Sequence, residues 1–172
     1  RITEQIALQR DDRVIVLGDG KLGQLVAQAL WLTTKHLVCV GKHPWKLKLL
    51  ERLGIGTALV EDPVEPGADI VVEATGSPDA LVRALELVRP EGTVILKSTC
   101  ADATRIPFAP AVVNEIRVLG SRCGPFRPAL EALAMGNVEV RPLITEGYDL
   151  RDGKRAFEHA QASDAMKILL HV

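Results

Sequence analysis

The stretch VIVLGDGKLGQLVAQAL, residues 14–30, decides the fold class of this chain. It starts with a short β-branched run, passes through Gly18, Gly20 and Gly23 in the spacing G-x-G-x-x-G, and continues with helical periodicity. The glycines therefore join a predicted strand to a predicted helix. The predicted sheet-facing stripe of that helix follows the spacing i, i+3, i+4, i+7, i+8 and comprises Leu22, Leu25, Val26, Ala29 and Leu30.

Short, almost continuously apolar runs alternate with helical patterns along the rest of the chain. Such runs are typical of strands covered on both faces, and the alternation predicts repeated strand–helix–strand units. The predicted strands are residues 13–17, 37–40, 69–73, 93–97, 116–119 and 167–170, and the predicted helices follow Pro44, Pro78 and Pro125, with a last one near 151–159. The fold class is therefore α/β: a Rossmann doubly wound parallel sheet in a three-layer αβα arrangement, over residues 1–172.

The composition excludes several classes of function. Hydrophobic residues make up 47% and charged residues 25%, which is ordinary for a globular domain. A net charge of −1 and an aromatic content of 3% favour neither nucleic acid nor a membrane surface as partner. We find no bilayer-spanning run and no signal peptide, so we expect a cytoplasmic protein. The chain starts at Arg1 without an initiator Met, which suggests a fragment of a longer protein.

The cysteines and histidines show no metal-binding spacing. Cys39, Cys100 and Cys123 are far apart, without a CxxC pair, so neither a zinc site nor a disulfide framework is predicted. Each cysteine is expected to be a small buried hydrophobe in a reducing compartment. The four histidines do not cluster in the sequence either; they are His36, His43, His159 and His171.

A glycine loop between a strand and a helix predicts a dinucleotide site. Gly18 permits the tight turn, Gly20 lets the backbone approach a pyrophosphate, and Gly23 allows close packing of helix and strand. The helix N-terminus then offers N–H groups and a positive dipole end to the phosphates. The spacing is not GxxxxGK[ST], because Lys21 lies inside the loop. A glycine turn without a ligand is the alternative, and Asp19 is interpreted as a solvated turn residue.

The end of the second predicted strand bears on the choice of cofactor. An acidic residue about 20 positions after the glycines would bind the ribose 2′-hydroxyl of NAD. Gly41, Lys42 and His43 stand there instead, leaving room for a 2′-phosphate and a cation beside it. This favours NADP over NAD. In the alternative interpretation Lys42 is a solvated loop lysine, and His43 stacks on or caps the helix that begins at Pro44.

Several separate segments resemble the coenzyme domain of the medium-chain, zinc-containing alcohol dehydrogenases, in the order found in that family. They are GDGKLG at 18–23, DIVVEATGSPDALVRALELVRPEGTVILKST at 69–99, NEIRVLGSRCGPFRPALEALAMG at 114–136 and AMKILLHV at 165–172. The resemblance implies a Rossmann domain that binds NAD or NADP, in an enzyme that transfers hydride between alcohols and carbonyl compounds.

The resemblance also implies roles for particular residues. Pyrophosphate contacts are expected from Gly18, Gly20, Lys21, Leu22 and Gly23, and Gly41, Lys42 and His43 would flank the adenosine ribose. Thr75 and Gly76 would border the adenosine side, and Leu96, Lys97, Ser98, Ser121, Arg122 and Cys123 would approach the nicotinamide, while Lys167 would reach a phosphate. As alternatives, Thr75 only caps a helix and Arg122 only forms a surface ion pair.

In this family the catalytic zinc is held in an N-terminal domain that precedes the first Rossmann strand. No catalytic or metal-ligating residue is therefore assigned here, and residues 139–172 resemble the family's C-terminal return to the catalytic domain. The expected protein is a cofactor-binding fragment that binds dinucleotide without turning over an alcohol or carbonyl substrate. The resemblance further implies a homodimer that pairs the edge strand at residues 116–120.

Two other functions fit a glycine-loop domain. A non-enzymatic, dinucleotide-sensing Rossmann module is one, but such modules generally keep an acidic residue where Gly41 stands. An enzyme that uses a nucleoside methyl donor is the other, but its loop usually lacks the third glycine, here Gly23.

Overall fold

The central element is a six-stranded parallel sheet. The computed structural model describes residues 1–99 and 106–172. The strands of this sheet are β1 Val14–Leu17, β2 Leu37–Gly41, β3 Gly56–Leu59, β4 Ala68–Glu73, β5 Val88–Leu96 and β6 Arg117–Gly120. Their spatial order is β3-β2-β1-β4-β5-β6, and every neighbouring pair is parallel. The strand order reverses between β1 and β4, which makes their carboxyl ends the switch point where ligands bind in such folds.

Helices cover both faces of this sheet. The helices of the described residues are α1 Ile2–Gln5, α2 Lys21–Trp31, α3 Pro44–Glu51, α4 Pro78–Leu87, α5 Ala109–Val113, α6 Phe126–Ala134 and α7 Gly153–Ala160. The first five of them contribute buried residues to the hydrophobic clusters of this sheet. Alternate residues of β1 enter different hydrophobic clusters. Val14 and Val16 pack with residues of α2 and α3, whereas Ile15 and Leu17 pack with residues of α4. The predicted three-layer αβα fold is therefore confirmed.

A second, smaller sheet contains the last strands of the chain. β7 Ile144–Asp149 and β8 Lys167–His171 pair in parallel, and α7 lies between them in sequence. Both strands are half-buried or exposed along their length. Among the described residues, no helix is long and apolar enough to cross a membrane.

The buried face of α2 differs from the predicted stripe. Leu22 is 37% exposed and Ala29 is exposed, whereas Ala27 is fully buried together with Val26 and Leu30. The buried face is shifted by about one residue along the helix, because Gly23 and not Leu22 packs against the backbone of Gly18. An added Cβ at Gly23 would lie 1.8 Å from the carbonyl oxygen of Gly18, so this side must face the strand.

Three strands differ from the sequence-based predictions, each for a physical reason. β3 and β7 were not among the predicted strands, because GTAL and ITEGYD carry glycine and polar residues instead of an apolar run. β5 begins at Val88 instead of residue 93, and it includes Glu91 at a positive φ of 59°. The pairing of β5 with β4 accordingly shifts register between Val88 and Thr93.

Candidate functional site

A cleft of about 920 Å³ opens at the carboxyl ends of the strands around the switch point. Its walls come from the loops after β1, β2, β3 and β4 and from α4. It brings together six of the residues predicted for the site: Gly18, Gly20, Gly41, Lys42, His43 and Thr75.

The three glycines of the loop have different environments. Gly18 adopts a φ of +116°, and a Cβ there would lie 2.8 Å from the carbonyl oxygen of Ala74. A Cβ at Gly23 would collide with Gly18, whereas a Cβ at Gly20 would meet nothing within 4 Å. Gly18 and Gly23 are therefore needed for packing, and Gly20 leaves open space on the side where a phosphate would approach.

The open glycine is also the N-cap of α2. Gly20 has no side chain to cap the helix, and the first turn of α2 contains no acidic residue. The first N–H groups of a helix have no partner within it and mark the positive end of its dipole. This helix end is therefore suited to bind an anion in the cleft.

Asp19 is not a solvated turn residue, so that interpretation was wrong. It is 6% exposed, and its Oδ2 accepts hydrogen bonds from the backbone N–H of Lys42 (2.8 Å) and His43 (2.6 Å). The Nδ1 atom of His43 lies 3.0 Å from the same oxygen. The carboxylate is buried because the loop after β1 lies directly against the end of β2, a neighbour that is distant in sequence.

A second buried carboxylate organises the other side of the switch point. Glu73, at the end of β4, is 5% exposed. Its Oε1 accepts from the N–H of Thr75 (2.6 Å), the hydroxyl of Thr75 (2.7 Å) and the N–H of Gly76 (3.2 Å). The hydroxyl of Ser98, after β5, donates to Oε2 and accepts from the N–H of Gly76 at 2.8 Å. Glu73 thus ties the loops after β4 and β5 together.

Sequence reasoning missed Glu73 as a site residue. The available signal was a carboxylate directly after the apolar run Ile70–Val72, at the carboxyl end of the strand. Thr75 lines the cleft, but its hydroxyl is used within the loop, since it donates to Glu73 and accepts from the N–H of Ser77 at 2.8 Å. The hydroxyl therefore orders the turn that precedes α4, and both interpretations of Thr75, helix cap or cofactor contact, stay predictions.

The residues predicted to approach the nicotinamide lie at the ends of β5 and β6. The Lys97 ammonium donates to the carbonyl oxygens of Ser121 (3.3 Å) and Arg122. Burial lowers the pKa of Lys97. The N–H of Ser121 donates to the carbonyl of Leu96 at 2.9 Å, which keeps the two strand ends together. The Lys97 side chain therefore links the loop after β5 to the loop after β6.

The remaining predicted residues do not line the cleft. Lys21 and Leu22 are exposed in the first turn of α2, beside the loop. Lys167 is exposed in β8 of the second sheet. Their contacts with a cofactor stay predictions.

The cysteines differ from one another. Cys39 lies in β2 and is buried, and burial, followed by the nearby charge of Asp19, raises the pKa of its thiol to about 12. Cys123 is exposed, so the expectation that it is buried was wrong: it follows β6 in an open loop. Cys100 lies outside the described residues.

We expect alkylating reagents to distinguish the two described cysteines. At pH 8 only about one Cys39 thiol in ten thousand would be ionised even if it were accessible, because the thiolate is the reactive form. Cys123 should therefore react more than about 100-fold faster than Cys39 in the folded chain. Peptide mapping after timed iodoacetamide treatment measures this ratio, and labelling in urea provides the control. Similar rates at both positions under native conditions would contradict the described burial.

Within residues 1–99 and 106–172, no group of three or more His, Cys, Asp or Glu side chains is arranged to hold a metal ion.

The strand order and the glycine loop at its switch point define the chain as a Rossmann-type domain. The chain belongs to the family described as glucose dehydrogenase C-terminus, whose model matches residues 3–172. The resemblance to the coenzyme domain of the medium-chain, zinc-containing alcohol dehydrogenases is confirmed by this match.

Known proteins extend the comparison. D-xylulose reductase A from Aspergillus oryzae is 26% identical over 190 residues, which cover 98% of this chain and 52% of that protein. A protein assigned as a zinc-binding dehydrogenase from Sinorhizobium meliloti 1021, solved bound to NADP, has a TM-score of 0.88 at 23% identity over 99% of this chain and 55% of its own. An alcohol dehydrogenase from Escherichia coli CFT073, complexed with NADH, has a TM-score of 0.87 at 17% identity, with 99% and 55% covered. These two structures share the fold. The chain spans about half the length of the curated relatives it matches.

Proposed function

We propose that this chain is the dinucleotide-binding domain of a zinc-type alcohol or polyol dehydrogenase and that it binds NADP in preference to NAD. The observation that carries the proposal is the cleft at the switch point, where Gly20 leaves the end of α2 open and Lys42 follows a strand that ends in glycine. The relatives support the reaction class, since one is a D-xylulose reductase and others are sorbitol dehydrogenases.

The pyrophosphate is assigned to the glycine loop. The space above Gly20 admits a phosphate at the distance of backbone contact, because no atom lies within 4 Å of the position of a Cβ. The N–H groups at the start of α2 then donate to phosphate oxygens that a side chain would keep away. The fit of a dinucleotide therefore depends on the phosphate cradle, the open space beside Gly20, which a single methyl group on that residue would fill.

The adenosine 2′-phosphate is assigned to the end of β2. Lys42 is exposed at the rim of the cleft, and Gly41 presents no side chain to the ligand. The charge of Asp19 lies beneath them and is already paired with N–H groups of residues 42 and 43. A cation and free backbone are what a phosphate needs, whereas a ribose 2′-hydroxyl would need an exposed acceptor.

The nicotinamide is assigned to the loops after β5 and β6. The Lys97 ammonium holds the carbonyls of Ser121 and Arg122, which keeps the backbone groups of this edge at constant spacing. Glu73 likewise holds Ser98 in place by accepting a hydrogen bond from the Ser98 hydroxyl. Backbone donors and acceptors at this edge would orient the nicotinamide ring without any side chain taking part in the chemistry.

Within the whole enzyme the bound cofactor supplies the hydride chemistry, and the residues of this chain bind it, orient it and keep its ring at the strand ends. The zinc of the family has no ligand set among the described residues, and we assign it to an N-terminal domain. We therefore expect the 172-residue chain to bind dinucleotide without oxidising an alcohol. We also place the protein in the cytoplasm.

Pairing of two copies completes the proposal. β6 is an edge strand of the sheet, and the neighbouring α5 exposes Val112 (76%) and Val113 (79%) to solvent. An unpaired edge beside exposed apolar residues favours association through a two-fold axis. Sedimentation equilibrium should find a dimer, and a strict monomer at all concentrations would contradict this part of the proposal.

Calorimetric titration of the chain with NADP and with NAD tests the central proposal. We expect saturable binding of both cofactors, with NADP bound more tightly, and no turnover with polyols. Absence of binding to either cofactor would overturn the dinucleotide assignment. Equal affinities, or tighter binding of NAD, would overturn only the preference.

Replacement of Lys42 by alanine should weaken NADP selectively. Loss of one charge-assisted contact to the 2′-phosphate should raise the Kd of NADP about tenfold and change that of NAD less than about twofold. Lys48→Ala is the matched control. It removes the same charge, but Lys48 is exposed on α3 outside the cleft. Equal weakening of both cofactors by Lys42→Ala, or an equal effect of Lys48→Ala, would count against a direct phosphate contact.

A further inference from the structure

The buried carboxylate of Asp19 is not among the groups assigned to the pyrophosphate. It comes from the middle of the glycine loop, yet it points away from the loop to the end of β2. There it contacts the backbone N–H groups of Lys42 and His43 and the imidazole of His43. Only 9% of the Asp19 side chain is exposed, against 35% for His43.

The position of this carboxylate accounts for Gly41. A Cβ at Gly41 would lie 2.4 Å from the Cβ of Asp19 and 2.5 Å from its Oδ2. The space beside the end of β2 therefore holds one side chain, and Asp19 from the neighbouring loop occupies it. An acidic side chain at position 41, which would bind the ribose of NAD, is excluded as long as Asp19 is present.

The contacts leave one group of His43 for a ligand. Its Nδ1 atom faces Asp19, at 3.0 Å from Oδ2 and 3.2 Å from Oδ1. Nε2 is the remaining ring nitrogen, and His43 lines the cleft beside Lys42. A carboxylate beside Nδ1 fixes the orientation of the ring, so Nε2 is the ring nitrogen left to face a ligand in the cleft.

We propose that Asp19 is a positioning residue for cofactor selection: it holds His43 and the Lys42 backbone so that Nε2 of His43 and the Lys42 ammonium bind the adenosine 2′-phosphate together. This inference rests on the proposed NADP preference. It extends the basis of that preference from position 41, where glycine stands in place of an acidic residue, to Asp19 and His43. Asp19 acts through His43, because its Oδ2 contacts the backbone N–H groups of Lys42 and His43 and both of its oxygens lie within 3.2 Å of Nδ1 of His43.

The competing role for Asp19 makes an opposite prediction. If its Oδ1 accepted the ribose 2′-hydroxyl directly, removal of the charge would weaken NAD and leave NADP unaffected or tighter. A purely structural role would change both affinities together. The ratio of the two Kd values therefore separates the three roles.

The test uses Asp19→Asn and His43→Ala in the 172-residue chain, with both Kd values measured by calorimetry. Each variant should raise the Kd of NADP about tenfold and change that of NAD less than about twofold, the effect of one lost charge-assisted hydrogen bond. In the double variant, Asp19→Asn should add less than about twofold to His43→Ala, because it acts through the same ring. Glu65→Gln is the charge control: Glu65 is exposed and lies outside the cleft, so loss of its charge should change neither Kd by more than about twofold.

The outcomes separate this inference from the proposed function. A wild-type chain without NADP preference overturns both. A wild-type chain that prefers NADP, with an unchanged Kd ratio in Asp19→Asn and His43→Ala, overturns only the role of Asp19 and His43. Selective weakening of NAD by Asp19→Asn also overturns it. If Asp19→Asn does not fold, His43→Ala decides, because that variant keeps both backbone hydrogen bonds to Asp19.

Discussion

Replacement of Gly23 by alanine is expected to lower the free energy of unfolding by about 3 kcal/mol, near the upper end of the usual cost of overpacking. The new Cβ would lie 1.8 Å from the carbonyl oxygen of Gly18 and 2.7 Å from its carbonyl carbon. Both atoms belong to the backbone of the loop, so no side chain can turn away to relieve the clash. α2 must move off β1, which also disturbs the phosphate cradle. Urea unfolding followed by circular dichroism measures the change.

Gly20→Ala is the matched control for Gly23→Ala. Gly20 has φ −70° and ψ 178°, which any residue adopts, and its Cβ would meet no atom within 4 Å. Stability should therefore change by less than about 1 kcal/mol. Dinucleotide affinity should fall more than about tenfold, because the methyl group occupies the space assigned to the pyrophosphate. Wild-type stability in Gly23→Ala, or wild-type affinity in Gly20→Ala, would contradict the assigned roles.

The second large effect is expected at Glu73. Replacement by alanine removes the acceptor of four hydrogen bonds, from Thr75, Gly76 and Ser98, at a site that is 5% exposed. A buried donor left unpaired costs about 1–3 kcal/mol, and the sum is limited because Thr75 is exposed and water can replace part of its bonds. We expect a loss of about 3 kcal/mol in the free energy of unfolding. Dinucleotide affinity should fall as well, because the loops after β4 and β5 lose their common anchor.

Two controls distinguish the Glu73 network from a general effect of charge. Glu73→Gln keeps the size and one carbonyl acceptor, so it should lose less than half as much stability as Glu73→Ala. Glu86→Ala removes an exposed carboxylate paired only with Arg83, and should change stability by less than about 0.5 kcal/mol. If Glu73→Ala unfolded at the same urea concentration as Glu86→Ala, the network would contribute nothing measurable.

The residues that the sequence predicted well are those whose role depends on near neighbours. Gly18, Gly20 and Gly23 lie between a buried strand and a helix, so their spacing alone predicts the turn. The buried strands are continuous apolar runs because helices cover both faces of the sheet. β3 was not predicted, since an edge strand with the sequence GTAL needs no apolar run.

The two buried carboxylates could not be predicted in the same way. The partners of Asp19 lie 23 and 24 residues later, and Ser98 lies 25 residues after Glu73. A charged residue in a turn or at a strand end is most often solvated, so composition and spacing favour the wrong environment. The burial of each carboxylate follows from which strands are neighbours in the sheet.

The amino-acid sequence by itself determined the α/β class, the glycine loop and the absence of an acidic residue at the end of β2, because these depend on local spacing and hydrophobic periodicity. Only the tertiary structure decided what occupies the space beside Gly41. The parallel pairing of β1 with β2 brings Asp19 against Gly41, where a further Cβ would lie 2.4 Å away. The space beside the end of β2 holds only one side chain, and it is filled by Asp19, a residue that is far from Gly41 in the sequence.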